Sequence, residues 1–192
     1  MRLLGIDPGS RKAGWGVVEV DAANRRVVYL ASGILRLNCS AELPDRIVEL
    51  SRGLLSLVEQ WKPTCSVIED IFVGDHARAA LYLGQARGAV LAVLGLSNIS
   101  VVSISATAIK QTITGNGHAS KNQVGQMLVA LLQLKKQAPE DASDALAAAL
   151  CHGIRLANPT IKHMMPPAKK LSHRQNRKEL EKIAARHFPI FD

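Results

Sequence analysis

A chain of 192 residues, 47% of them hydrophobic, suffices for one domain with a real core and excludes a disordered polymer. Its formal net charge of +8 favours a polyanionic partner, nucleic acid first. Cys39, Cys65 and Cys151 have no metal-binding spacing, no secretory leader is visible, and Gly, Arg or Ser breaks every apolar run, so a reduced cytoplasmic protein without membrane contact is expected.

The chain opens on Leu3-Leu4-Gly5-Ile6-Asp7-Pro8-Gly9-Ser10. A short apolar run halted by Pro-Gly reads as a central strand, with Asp7 at its tip. Residues 13–20 and 26–35 read as two further strands joined by the polar turn 21–25, which makes an antiparallel meander. Pro44 opens a helix whose Ile47, Leu50, Leu54, Leu55 and Val58 recur at helical spacing and which ends before Pro63. Thr64 to Glu69 repeats the pattern of the first strand, buried residues and then an acid. After a loop at 71–76, Ala77 to Leu96 reads as a long Ala/Leu helix. Gly84 and Gly88, one turn apart within it, suit either close approach by another helix or tight core packing.

Ile99 to Ile104 reads as a fifth strand and Ala106 to Thr112 as a short helix. Ser120 is positioned to cap the next helix, and a last Ala-rich helix starts within 138–141 and runs to Ala157. The expected fold is therefore α/β, a mixed five-stranded sheet of three antiparallel and then parallel strands covered by helices. Residues 1–158 form the domain. Residues 159–192 form a basic tail, flexible or weakly helical, behind a Pro-rich stretch. From Ile161 onward the chain carries 8 Lys+Arg and 3 Asp+Glu, so much of the positive charge belongs to that tail.

Asp141 and Asp144 lie three residues apart at the head of the last helix, on one face and at its positive dipole end. Taken alone, this is ordinary helix-start preference. Together with Asp7 and Glu69 at two strand ends it suggests a cluster of four carboxylates, whose mutual repulsion calls for divalent cations. Hard oxygen donors point to Mg²⁺, with Mn²⁺ as a substitute, and not to zinc. Two such ions about 3.5–4 Å apart activate a water and stabilise the leaving oxygen of a phosphodiester.

Gly5-Ile6-Asp7-Pro8-Gly9-Ser10, Ile68-Glu69-x-x-Phe72, Leu83-Gly84-Gln85-Ala86-Arg87-Gly88 and Asp141-x-x-Asp144-Ala145-Leu146-Ala147 together resemble the bacterial Holliday junction resolvase family RuvC, collinearly over roughly residues 1–157. The resemblance implies a ribonuclease H-like fold. It also implies a homodimeric, metal-dependent endonuclease that nicks two opposed strands of a four-way DNA junction, in recombination and repair, alongside the branch-migration proteins RuvA and RuvB. On this resemblance Asp7, Glu69, Asp141 and Asp144 match the family's metal-binding acids. Lys110 and Lys121 match basic residues near its scissile phosphate, and Phe72 matches an aromatic that packs on unpaired bases. Arg78 and Arg87 complete the candidate DNA contacts. Asp70, beside Glu69, and His76, where the family often has Asn, depart from the pattern, and the tail carries no family motif.

Three other readings stand beside this one. The first strand and its turn also resemble the phosphate loop of actin-like ATPases and sugar kinases, but a second phosphate loop is missing, and the Gly115–Lys121 loop is no P-loop because Ser120 stands where Gly is required. A resolvase-like nuclease acting on RNA and a non-catalytic junction-binding module are the others. A pure binder gains nothing from clustered carboxylates facing phosphate.

Overall fold

A computed structural model describes residues 1–70, 77–158 and 169–170. Strands β1 (Arg2–Asp7), β2 (Lys12–Asp21) and β3 (Arg26–Arg36) form the expected meander, with Asp7 opposite Gly14 and Arg2 opposite Glu19. Its second turn is shaped by Asp21, whose carboxylate accepts from the Asn24 backbone and side chain, and by Arg25 in the left-handed region at φ 51°. Helix α1 (Leu43–Trp61) carries Pro44 in its first turn and stops at Lys62, itself left-handed at φ 47° before Pro63. Strands β4 (Cys65–Glu69) and β5 (Ser100–Ile104) add in parallel and are linked through helix α2 (Ala77–Leu96).

Helix α3 (Ala106–Thr114) is capped by Ser105 and runs one half-turn beyond its expected end, to Gly115 at φ 77°. Helix α4 (Lys121–Leu132) begins with a capping box between Ser120 and Gln123. Helix α5 (Glu140–Ala157) closes the domain. The sheet order is β3-β2-β1-β4-β5, the mixed arrangement expected. One further piece, β6 (Lys169–Lys170), pairs antiparallel with β5. The open edge of β5 offers free ladder groups, and these two residues of the basic tail, expected to be flexible or weakly helical, satisfy some of them. The remainder of the tail, and residues 71–76 with Phe72 and His76, lie outside the described residues.

Both faces of the sheet are covered, which explains why β1 and β4 read as near-continuous apolar runs. Strand alternation sorts their side chains. Leu4, Ile6 and Ile68 pack with Leu50, Leu54, Val90 and Leu94 on the α1/α2 side. Leu3, Cys65, Val67, Val102 and Ile104 pack with Ile109, Leu128, Leu146 and Leu150 on the α3/α4/α5 side. By the same period of two, Asp7 and Glu69 face the second side.

Helix α5 crosses that side at unusually short range. A Cβ on Gly5 would fall 1.9 Å from the carbonyl oxygen of Ala145, and one on Gly14 would fall 1.9 Å from that of Asp141. Gly16 similarly lies under Leu146. The buried alanines 145, 147, 148 and 149 complete a helix narrow enough to lie on this glycine floor.

Helix α2 differs. Leu81 and Leu96 are 58% and 80% exposed, and a Cβ on Gly84 or Gly88 would meet nothing within 4 Å. The tightly packed alternative for this glycine pair is therefore excluded. Among the described residues α2 is also the one helix long and apolar enough, by length and composition, to cross a membrane. It packs against α1, and Arg87 ties it to the sheet (below).

Candidate active site

The ends of β1 and β4 lie side by side, with Ile6 paired to Ile68, so the next residues, Asp7 and Glu69, project together from one rigid edge. The head of α5 lies over them because its backbone rests on Gly14, the partner of Asp7 across the ladder. A cleft of ≈ 310 Å³ results, lined by Asp7, Glu69 and Asp144, by Lys110 from α3 and Lys121 from α4, and by the apolar Ala106, Ile109, Val124 and Ala147. Asp141 does not line this cleft but lies within electrostatic reach of Asp7.

Charge is crowded here. Burial, followed by repulsion from Asp144, Glu69 and Asp141, pushes the Asp7 carboxyl up to about 7, with Lys121 opposing. Burial and Asp144 raise Glu69 as well, against Lys121 and Lys110. Two ammonium groups take up part of the excess. Lys121 Nζ lies 3.0 Å from Asp144 Oδ2 and 2.5 Å from Glu140 Oε1, and these contacts, Glu140 first, raise its own pKa. Lys12 Nζ lies 2.5 Å from Asp141 Oδ2.

With two acids turned to lysines, no three acidic, His or Cys side chains among the described residues converge tightly enough to hold one ion. The donor set nevertheless fits a hard divalent cation. All four side chains offer carboxylate oxygens, and the raised Asp7 and Glu69 mark a local negative excess that such a cation would neutralise.

Arg87 is not turned toward a ligand. Its side chain is 12% exposed, and its guanidinium donates to the Glu69 carbonyl at 2.6 Å and the Ser103 hydroxyl at 3.1 Å. Ser103 donates in turn to Asp70 Oδ1 at 2.6 Å, and the Asp70 backbone N–H bonds the Ile104 carbonyl. Arg87, named among the candidate DNA contacts, thus serves in this structure as a clamp on the end of β4. Asp70, the extra acid, is spent in the same network on the α2 side of the sheet, where Lys169 Nζ approaches it at 3.9 Å. Arg78 is exposed, donating to the Tyr82 hydroxyl and lying over its ring. Lys12 and Glu140 are the site residues that sequence reasoning missed. Lys12 shares strand parity with Gly14, and Glu140 opens the same helix turn as Asp141, but neither signal names a partner.

A sheet of this order, with acids at the adjoining tips of β1 and β4 and more acids on the helix lying over them, places the chain in the ribonuclease H-like fold class. The family profile described as crossover junction endodeoxyribonuclease RuvC matches residues 3–152. Relatives described by the same words include one from Ralstonia pickettii, 45% identical over 152 residues (79% of this chain, 83% of the relative), and one from Paramagnetospirillum magneticum, 42% identical over 79% and 90%. Among solved structures, Thermus thermophilus RuvC in complex with a Holliday junction substrate superimposes with a TM-score of 0.78 at 29% identity, covering 89% of this chain and 99% of that one. The yeast mitochondrial Holliday junction resolvase, at TM-score 0.62 and 15% identity over 84% and 80%, shares the fold. The chain belongs to the RuvC family.

The crowding at Asp7 has a measurable sign. In the metal-free folded chain Asp7 keeps a proton that the unfolded chain releases near its ordinary value of 3.8. Stability from this group is therefore complete below that value and is lost as pH rises through about 7. Asp7→Asn should accordingly raise the melting temperature in EDTA at pH 8, by a stability increment on the order of a few kcal/mol, and change it little near pH 4. Thermal melts of both proteins at the two pH values check this; equal shifts at both would contradict the crowding.

Proposed function

We propose that the chain resolves four-way DNA junctions by hydrolysing phosphodiesters symmetrically in two opposed strands, leaving 5′-phosphate and 3′-hydroxyl ends. The observation that carries the reading is the convergence of Asp7, Glu69 and Asp144 with Lys110 and Lys121 in one cleft, in a chain of this family. Asp7, Glu69, Asp141 and Asp144 would hold two Mg²⁺ ions, or Mn²⁺ in their place, which supply an activated water and stabilisation of the leaving oxygen.

The chain's own groups do the rest. The rigid ends of β1 and β4 hold Asp7 and Glu69 in fixed relation, and the Arg87 clamp restrains Glu69 further. Lys110 and Lys121 lend positive charge on the α3/α4 side, where a scissile phosphate gains negative charge as it reacts. Glu140 keeps Lys121 protonated and in place. The apolar lining of Ala106, Ile109, Val124 and Ala147 limits the water around these charges and strengthens their effect. Phe72 would stack on unpaired bases, Arg78 would contact DNA, and the basic tail would add sequence-independent affinity. The setting is the cytoplasm, with RuvA and RuvB as partners.

Paired nicks need two equal sites. The exposed face of α2, with Leu81 and the open glycines 84 and 88, supports a two-fold dimer across this helix.

Asp144→Asn should lower cleavage of a synthetic junction in Mg²⁺ on the order of 10³-fold or more, while junction binding in Ca²⁺ survives, because binding rests on phosphate contacts. Near-normal cleavage would overturn the assignment. For the dimer, Gly84→Glu meets open space within the protomer and removes an interior helix glycine, so the fold should be retained or slightly stabilised. Sedimentation equilibrium should report a dimer for the parent and a monomer for this variant; an unchanged dimer would place the interface elsewhere.

A further inference from the structure

We propose that Lys12 is a positioning residue that holds Asp141 until a divalent cation displaces it, and that the freed ammonium then serves the DNA backbone. The proposal rests on the reading of Asp141 as a metal-holding residue, and adds to it a residue outside the acidic set and the two lysines of the cleft.

Backbone packing dictates the juxtaposition. Lys12 opens β2 two residues before Gly14, so both project to the α5 side of the sheet. Gly14 lies directly against the backbone of Asp141. A long side chain starting one strand repeat away has the first turn of α5 within reach, and Lys12 Nζ meets Asp141 Oδ2 at 2.5 Å. The ammonium comes from the solvent side, with the Lys12 side chain 54% exposed and that of Asp141 only 20%.

Asp141 therefore has one oxygen engaged by a cation already. A hard divalent ion drawn to that carboxylate competes for its lone pairs and repels the ammonium beside it, so the two cannot be held equally well at once. Lys12 and Lys121 differ in what happens next. Lys121 is anchored twice, on Asp144 and on Glu140, and remains tethered by Glu140 when Asp144 turns to metal. Among the described residues Lys12 makes a direct ion pair with Asp141 alone, and Glu140 feels its charge only at longer range. Once displaced, Lys12 is an exposed cation on the solvent side of Asp141, free to meet a phosphate. Metal loading thus converts a charge that neutralises the protein into one that is available to phosphate.

The test is a double-mutant cycle on the full chain with Mn²⁺ as the probe, affinity being read by electron paramagnetic resonance of free Mn²⁺. Lys12→Met preserves length and removes charge. It should tighten Mn²⁺ binding about 3–10-fold in the parent background and leave it unchanged in Asp141→Asn, where nothing is left to compete for. Asp141→Asn alone should weaken binding. If Asp141→Asn leaves Mn²⁺ affinity unchanged, the metal reading of Asp141 fails and the proposal falls with it. If Asp141→Asn weakens binding but Lys12→Met acts equally in both backgrounds, or in neither, the metal reading stands and the proposal alone is overturned. Junction affinity supplies the second arm. Lys12→Met should weaken it about 3–5-fold in Ca²⁺ and leave it unchanged in EDTA; an equal loss in both, or none in either, overturns the release.

Discussion

Helix α5 rests on the sheet at backbone distance, and the site exists because it does. At Gly5 and Gly14 there is no room for a methyl group between strand and helix, since the nearest atoms are carbonyl oxygens of the helix itself. That contact sets the height of α5 above the tips of β1 and β4, and with it the separation between the acids of the helix and those of the strands. A conventional helix-on-sheet spacing, with side chains filling the gap, would carry Asp141 and Asp144 away from Asp7 and Glu69. The alanine run of α5 and the glycines of β1 and β2 are two halves of one steric requirement.

Close approach carries an electrostatic consequence. Asp7 is half-buried and faces three like charges, so in the absence of metal it retains its proton close to neutral pH. The protein answers with cations from separate elements: Lys12 from β2, Lys110 from α3 and Lys121 from α4. The site is balanced for a state in which more positive charge arrives as metal ions, which would also let a polyanion approach the carboxylates. Around it, groups that look reactive are devoted to rigidity. Arg87, Ser103 and Asp70 fasten the end of β4, so that Glu69 is presented by a clamped strand and not by the loop that follows.

Much of this was legible in the sequence where a local pattern maps onto one geometry. An apolar run halted by Pro-Gly places Asp7 at a strand tip, the repeated pattern places Glu69, and a three-residue spacing puts Asp141 and Asp144 on one helix face. What escaped depends on which way a helix is turned and on what meets it from afar. Helix α2 is apolar nearly all round, so its periodicity does not say whether Arg87 faces in or out. Gly5, Gly14 and Gly16 read as ordinary strand glycines until α5 is set over them. Lys12 sits in a polar stretch between turn and strand, and only the packing of Gly14 against Asp141, 127 residues later in the sequence, gives it a partner. The pairing of Lys169–Lys170 with β5 is likewise an edge effect that tail composition does not encode. Phe72 lies outside the described residues, and its role rests on resemblance.

The steric seat of α5 is the point at which the account is most exposed, and Gly14→Ala probes it with a single methyl group. The single-turnover rate of cleavage of a synthetic four-way junction in Mg²⁺, taken well below the variant's melting temperature, is the decisive measurement. A displacement of the helix by about 1 Å should lower that rate on the order of 10²-fold while the protein stays folded and still binds the junction. A folded Gly14→Ala protein that cleaves at the parental rate would contradict the claim that this contact assembles the site.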